Sequence, residues 1–345
     1  MGYTDQLLEE VQDQIKPSDK TLEAARSRRD EVLAAAKDVD GRLRDYVSGS
    51  LGHRTANDDT DADCGVVLDR RVYEELGPDG EGTGPEEIVQ NIRETVREVL
   101  KEQHSELKTR VTKRAITFEF HEPLGSGDDA KDPSVDLIIA LTRKDADGLW
   151  IPNRDAGRWD ASHPEKHTKL LTDPADGVRR LRTATIRLAK GWNKQYTSPA
   201  LVSFNIEALA LETITDVVQI GEAVTQWFEY SARELKKANT KDPADISPPI
   251  KLLLERDAVV ARLEGAAEHM RDALDHDDDE DAVTEALAVV FYKFVQKPEG
   301  SSSKAAVASA LRKGNADFNR AGVYAAGAGA SQLRSVRSHG DEEEG

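Results

Sequence analysis

Apolar residues recur along the chain with two periods, and the switches between them mark out its elements. After Pro17-Ser18-Asp19, the residues Leu22, Ala25, Val32, Leu33 and Ala36 fall at helical spacing, with Ser18 placed to cap. Around Tyr46 the pattern changes. Tyr46-Val47-Ser48-Gly49-Ser50 reads as a short strand ending in a turn, and Gly65-Val66-Val67-Leu68 as a second strand. Gly77-Pro78-Asp79-Gly80-Glu81-Gly82 is a loop, and Pro85 stands where a first helical residue tolerates proline. Ile88, Ile92, Val96 and Val99 then predict an amphipathic helix to about Lys101. Ile116, Phe118 and Phe120 alternate with Thr117, Glu119 and His121, and after a Gly/Asp/Pro loop Val135 to Leu141 reads as a buried strand; the two predict a hairpin. From about Asp173 the period is helical, over 178–196, 203–218, 221–238, 249–275 and 281–296, with Pro243, Pro248 and Pro249 as an interruption. After Pro298 Ser, Ala and Gly dominate, which predicts a disordered tail with a short helix at 303–312.

The expected fold class is therefore α+β: N-terminal helices and a stranded lobe over 1–170, a helical lobe over 171–297, and a tail over 298–345. The 345 residues suffice for about two domains. Acids outnumber bases 65 to 47, a net charge of −18, which disfavours a partner held by neutralising a long run of phosphates. No apolar run is long enough to span a bilayer, and Met1 to Gln6 lacks a signal peptide's basic start, so a cytoplasmic protein is expected. Cys64 is the only cysteine, which excludes an intrachain disulfide and a cysteine-rich zinc site.

Three carboxylates carry the candidate chemistry. Asp61 and Asp63 lie two apart at a strand start and so face one side, while Asp136 sits inside an apolar strand, where a charge is costly unless paired or metal-bound. Converging carboxylates offer hard oxygen ligands of the kind Mg²⁺ or Mn²⁺ takes, with positions left for phosphates, and two such ions can clamp an in-line phosphoryl displacement. Gly49-Ser50 opens a short helix at Leu51 to Arg54, whose backbone N–H groups and Ser50 hydroxyl suit a triphosphate. Two plainer readings compete. Asn57 to Asp63 could be a solvated acidic loop; a calcium loop starting at Asp59 fails on register, with Cys64 where Gly is needed and Arg70 where Glu is needed.

The order Gly49-Ser50, Asp61-x-Asp63, Asp136 resembles the polymerase-beta-like nucleotidyltransferases. Trp150-Ile151-Pro152-Asn153-Arg154, Gly157-Arg158-Trp159, His163-Pro164-Glu165-Lys166-His167, Leu188-Ala189-Lys190-Gly191-Trp192-Asn193 and Ser203-Phe204-Asn205-Ile206-Glu207 narrow the likeness to the bacterial cGAS/DncV-like enzymes (CD-NTases), over about residues 18–297. The resemblance implies a bilobed enzyme, a palm plus a helical C-terminal lobe, that joins NTPs into cyclic or linear oligonucleotide second messengers within antiphage (CBASS) systems. It implies that Asp61, Asp63 and Asp136 hold two Mg²⁺ or Mn²⁺ ions, with Asp136 also helping to deprotonate the attacking hydroxyl. Gly49, Ser50, Lys190 and Ser203 are then donor-triphosphate contacts. The chain departs from the family after Gly-Ser, where Leu51-Gly52-His53-Arg54-Thr55 replaces a more usual Phe-x-Arg-Gly-Thr.

Charge patterning bears on Lys190. Residues 177–206 contain no Asp or Glu but carry Arg179, Arg180, Arg182, Arg187, Lys190 and Lys194. Val178, Leu181, Thr185, Leu188 and Trp192 form one helical stripe to pack; Arg180, Arg187, Lys190 and Lys194 form another, either a solvated basic face or a triphosphate cradle. Asn153, Arg154 and Trp159 are candidates for the pocket lip or for a packed interlobe connection. His163 and His167 lack the metalloprotease spacing and read as structural or surface residues, and Cys64 as a small core residue. In some systems of this family a ubiquitin-transfer-like partner conjugates the synthase through its last residue, which here would be Gly345. The alternatives left open are a transferase acting on RNA or another small acceptor, and a catalytically silent nucleotide-binding regulator.

Overall fold

A computed structural model of the chain describes residues 2–297 apart from 60, 79, 81, 83, 128, 129, 145, 174 and 175. Helices α1 (Tyr3–Ile15) and α2 (Asp19–Ala35) lead into β1 (Arg42–Ser48), the short α3 (Gly49–His53) and β2 (Ala62–Leu68). Then come α4 (Glu86–Lys101), β3 (Lys108–Val111), β4 (Ile116–Glu119), β5 (Val135–Thr142), β6 (Leu149–Asn153) and β7 (Arg158–Ser162). The remainder is helical: α5 (Pro164–Thr172), α6 (Asp176–Lys194), α7 (Ser203–Thr213), α8 (Ile220–Lys237), α9 (Arg256–Asp275) and α10 (Glu280–Val290).

All seven strands form one sheet in the order β1-β2-β5-β4-β3, with β6 continuing from the far end of β5 and β7 paired to β6. Strands β2 and β5 run parallel, and the other pairs are antiparallel. Alternation decides the faces: Ala62, Cys64, Val66, Ile116, Phe118, Val135, Leu137 and Ile139 turn to one side and pack with Val32 of α2 and Val89, Ile92 and Val96 of α4. The intervening residues of β2, β4 and β5 turn the other way, and the site is built from these.

A second core lies among the helices, around Trp192, Trp227, Phe228, Leu263, Met270, Leu287 and Phe291. Each of these side chains contributes about 1.5–3 kcal/mol on full burial. Helix α1 sends Leu8, Val11 and Ile15 into this core. The sequence reading groups that segment with the stranded lobe; its packing places it with the helices.

Several elements differ from expectation for local reasons. The short helix expected at Leu51 to Arg54 is present as α3 but starts two residues earlier, with Gly49 and Ser50 inside it. The hairpin β6–β7 and strand β3 carry no clean apolar alternation, Pro152 sitting inside one and Lys108-Thr109-Arg110 making up most of the other. Helix α9 starts at Arg256 because the proline-rich stretch before it is spent on extended contacts, Ile250 N–H donating to the Thr240 carbonyl and Leu253 N–H to that of Ala200. Among the described residues no helix is long and apolar enough to cross a membrane. The helix expected at 303–312 and the conjugation expected at Gly345 lie outside the described residues.

Candidate active site

The sheet's register puts four polar residues in one row. Ser48 of β1 stands opposite Asp63 of β2, Asp63 opposite Asp136 of β5, and Asp136 opposite Thr117 of β4. Residues in register on adjacent strands share a face, here the face away from α2 and α4. Thr117 is buried and donates its hydroxyl to Asp136 Oδ1 at 2.6 Å, which fixes that carboxylate's orientation. Asp61, just before β2, accepts the Ser134 N–H at 3.0 Å, so the loop entering β2 is tied to the start of β5. Asp61, Asp63 and Asp136 are all partly open, while their neighbours Ala62, Cys64, Val135 and Leu137 are sealed.

The electrostatics follow from this crowding. Burial, then the charges of Asp136 and Asp61, push the Asp63 carboxyl up to about 8, with His53 acting weakly against them. Burial raises Asp61 as well, its Ser134 bonds opposing. Among the described residues no three His, Cys, Asp or Glu side chains form a ready-made metal cage. Asp61, Asp63 and Asp136 are therefore not gathered as a three-carboxylate cage.

Gly49 is required where it stands. Its φ is +62°, and a Cβ there would lie 1.8 Å from Asp63 Oδ2, so the carboxylate rests directly against the start of α3. Gly49→Ala should cost about 1–2 kcal/mol from the left-handed backbone alone and should also displace Asp63. The expected outcome is a melting temperature lower by about 2–4 °C per kcal/mol together with loss of nucleotide chemistry, checked by a thermal melt beside a product assay.

The basic stripe of α6 lies along the loop joining Gly49-Ser50 to Asp61-Asp63. Lys190 is 2% exposed, and its Nζ donates to Glu207 Oε1 at 2.7 Å, Thr55 Oγ1 at 3.0 Å and the Thr55 carbonyl at 3.3 Å. Three acceptors match the three donors of an ammonium. Burial favours neutral Lys190, but the Glu207 carboxylate and this geometry hold the charged form. Thr55 Oγ1 also donates to Glu207 Oε1, and His53 Nδ1 meets Glu207 Oε2 at 3.0 Å. Ser203 opens α7 one turn before Glu207, so the two share a helix face. Further along α6, Lys194 pairs with Asp59 at 2.6 Å, Arg180 is exposed, and Arg182 is buried on the carbonyl of Ile214.

Burial alone would raise the Glu207 carboxyl, but Lys190 and then His53 carry it well below the ordinary 4.5. A depressed folded-state value means stability present above about pH 4.5 and lost as pH falls through it. The melting-temperature gap between the native chain and Glu207→Gln should therefore be constant near neutrality and close below about pH 4.5. Melts across pH 3–7 check this.

The proposed lip residues have structural duties. Asn153 is buried, donating to Asp160 Oδ2 at 2.7 Å and accepting the Ala156 N–H, and Arg154 pairs with Glu86 at 2.6 Å and binds the carbonyls of Val111 and Thr112. Trp159 is buried in the core beneath the sheet. His163 caps α5 through the Lys166 N–H, and His167 is buried on Asp242 at 2.6 Å. Burial, with Asp63 next, pushes the Cys64 thiol up, which leaves it unreactive. From sequence, Thr117 has no assigned role, and His53, Thr55 and Glu207 stand only inside quoted motifs with no role of their own. Glu207 had a signal, an acid among Ile206, Ala208, Leu209 and Ala210.

This combination of a palm sheet carrying an acidic row and a helical lobe behind it is the fold of the polymerase-beta-like nucleotidyltransferases of the CD-NTase group. Among solved structures the chain is similar to CdnC of Escherichia coli MS115-1 with ATP (16% identity, TM-score 0.63, 86% of this chain and 99% of that one). It is also similar to the CD-NTase CdnG of Bradyrhizobium diazoefficiens in complex with GTP (13% identity, TM-score 0.60, 84% and 96%). A third is the Vibrio cholerae cyclic AMP-GMP synthase DncV in complex with the linear intermediate pppA(3′,5′)pG (13% identity, TM-score 0.55, 86% and 87%). No protein-family model and no curated protein sequence matches the chain.

Proposed function

We propose that the chain is a metal-dependent nucleotidyltransferase that joins NTPs into a cyclic di- or trinucleotide second messenger, acting in the cytoplasm in antiphage signalling. The observation that carries this reading is the Asp63–Asp136 pair in register, open on one side and pressed against Gly49 at the start of α3, in a chain with this fold. The nucleotides would lie between the palm, which ends near residue 170, and the helical lobe of residues 171–297.

The reaction is attack of a ribose hydroxyl of one nucleotide on the α-phosphorus of another, with pyrophosphate leaving. Asp61, Asp63 and Asp136 would hold two Mg²⁺ or Mn²⁺ ions, which supply charge neutralisation for the phosphates when bound. Asp136, held by the Thr117 hydroxyl, would accept the attacking hydroxyl's proton. Gly49 leaves room for Asp63 beside the loop that receives the donor triphosphate, and Ser50 offers its hydroxyl there. The row of Asp63 and Asp136 would set the two nucleotides' reacting atoms on one face, which is the positioning that phosphoryl transfer chiefly needs.

The test is incubation with labelled NTPs and Mg²⁺ or Mn²⁺, followed by phosphatase. A small resistant product supports the reading. Label transferred only to an added RNA or other acceptor would replace it with another transferase activity, and ATP or GTP binding without any turnover would replace it with a silent regulator.

A further inference from the structure

The buried and half-buried imidazoles of this chain differ in how many carboxylates they meet. His53 meets Glu207 through Nδ1 and His167 meets Asp242 through Nε2, which a neutral ring satisfies by donating its one proton. His104 is different. It follows α4, and its Nε2 lies 2.8 Å from Glu31 Oε2 of α2 while its Nδ1 lies 2.9 Å from Glu122 Oε1, just beyond β4. An ionised carboxylate only accepts, so both nitrogens must donate, and the ring that makes both bonds is the imidazolium. Burial opposes that charge, but the bonds to Glu122 and Glu31 outweigh it and raise the ring above its ordinary 6.5.

The charged groups around the ring come from three elements. From α2, Ser27 Oγ donates to Glu31 Oε1 at 2.9 Å, and the Arg28 guanidinium lies over the Phe120 ring, 4.7 Å from its centroid. His104 meets the same ring at right angles, with 4.9 Å between centroids. The β4–β5 connection supplies Glu122 and Asp132, and Arg28 pairs with Asp132 at 2.6 Å. Glu102 and Glu106, on the loop of His104 itself, and His121, beside Glu122, are exposed. With His104 neutral, Glu31, Glu122 and Asp132 would share Arg28 as the one cation of this cluster.

A single peptide group links the cluster to the acidic row. Arg28 Nη2 donates to the Glu122 carbonyl at 2.6 Å and Nη1 to the Pro133 carbonyl at 2.7 Å, so both ends of the β4–β5 connection hang on one guanidinium. The N–H of that same Pro133–Ser134 peptide is the donor to Asp61 Oδ1 at 3.0 Å. His104 grips the near end of the connection, at Glu122.

We propose that His104 is a positioning residue: its charged ring, clasped between Glu31 and Glu122, fixes the β4–β5 connection and, through the Pro133–Ser134 peptide, the Asp61 carboxylate, so that this support weakens as the ring loses its proton. The task of Asp61 rests on the nucleotidyltransferase reading; the clasp itself does not. A ring raised in the folded state contributes stability that is complete below 6.5 and is lost as pH rises through the raised value.

The experiment follows the full chain from about pH 5.5 to 9 by NMR of the histidine rings, with His104→Gln giving the assignment, and by amide exchange at Ser134. Glu31→Gln, remote from the acidic row, is the second variant. The native ring should titrate with a midpoint above 6.5, and Glu31→Gln should lower that midpoint. Below the midpoint the Ser134 N–H should exchange about two- to ten-fold more slowly in the native chain than in His104→Gln, the gap closing above it. A midpoint at or below 6.5, or Ser134 exchange that is alike in the two chains at every pH, overturns the proposal. Product formation from labelled NTPs separates it from the function. A native-to-His104→Gln ratio of kcat that falls over the same pH range, with KM unchanged, supports both. The NMR and exchange results in a chain that makes no product support the clasp and sink the function, whereas product with a pH-independent ratio overturns the positioning and leaves the function standing.

Discussion

Asp63→Asn is expected to reduce product formation by at least about 10²–10³-fold, the scale on which active-site charge stabilisation is lost, without lowering the melting temperature. The amide keeps the carboxylate's shape against Gly49, so α3 and β2 retain their contact. What it removes is the negative charge beside Asp136 and Asp61 that burial already makes expensive. In the metal-free chain the Asp63 carboxyl, raised to about 8, is mostly protonated near neutrality, so the variant's melting temperature should match the native there and exceed it as pH rises through that value, while activity disappears. A structural role for Asp63 predicts the opposite pairing, a lower melting temperature with residual activity in proportion to folded protein. Divalent cation should likewise stabilise the native chain, since it binds the folded state alone, and should do so far less in Asp63→Asn.

Lys190→Met should destabilise the chain by about 3–5 kcal/mol, because it strands the Glu207 carboxylate, 3% exposed, without its ammonium. At about 2–4 °C per kcal/mol, the melting temperature should fall by on the order of 10 °C. Adding Glu207→Gln to Lys190→Met should restore much of the loss, since the double variant buries no unpaired charge. The coupling in this cycle measures the Lys190–Glu207 pair directly. If Lys190 instead met only phosphate, the single change would leave the melting temperature of the nucleotide-free chain nearly unaltered. The network spans α3, the loop after it, α6 and α7, so the same change should loosen the placement of the Gly49–Thr55 turn.

The acidic residues of the site were legible because their chemistry is at odds with their surroundings. Asp136 interrupts Val135 to Leu141, and Asp61-x-Asp63 precedes an apolar run. What the sequence withheld is register. Asp63 meets Asp136 only because β2 and β5 pair in parallel across 72 intervening positions of chain, and Thr117 joins them through a third strand. No local pattern states such pairings. The basic stripe of α6 was visible as charge, yet its members have different fates: Lys190 is locked to Glu207, Lys194 to Asp59, and Arg187 is left without an acid. Those fates depend on which loop lies against the helix, a tertiary fact. The hairpin β6–β7 escaped notice for a related reason, since its edge position tolerates Pro152 and spares it the apolar alternation of an interior strand. Asn153 and Arg154, read from their motif as lip candidates, are held by Asp160 and Glu86.

The central claim is that the Asp63–Asp136 row is a centre for joining NTPs. The most direct measurement incubates the native chain and Asp63→Asn in parallel with α-labelled NTPs and Mg²⁺, treats both with phosphatase, and follows resistant label together with released pyrophosphate. A resistant product from the native chain, one pyrophosphate for each phosphodiester formed, and neither from a folded Asp63→Asn, is the predicted result. Equal product from the two chains would contradict the account.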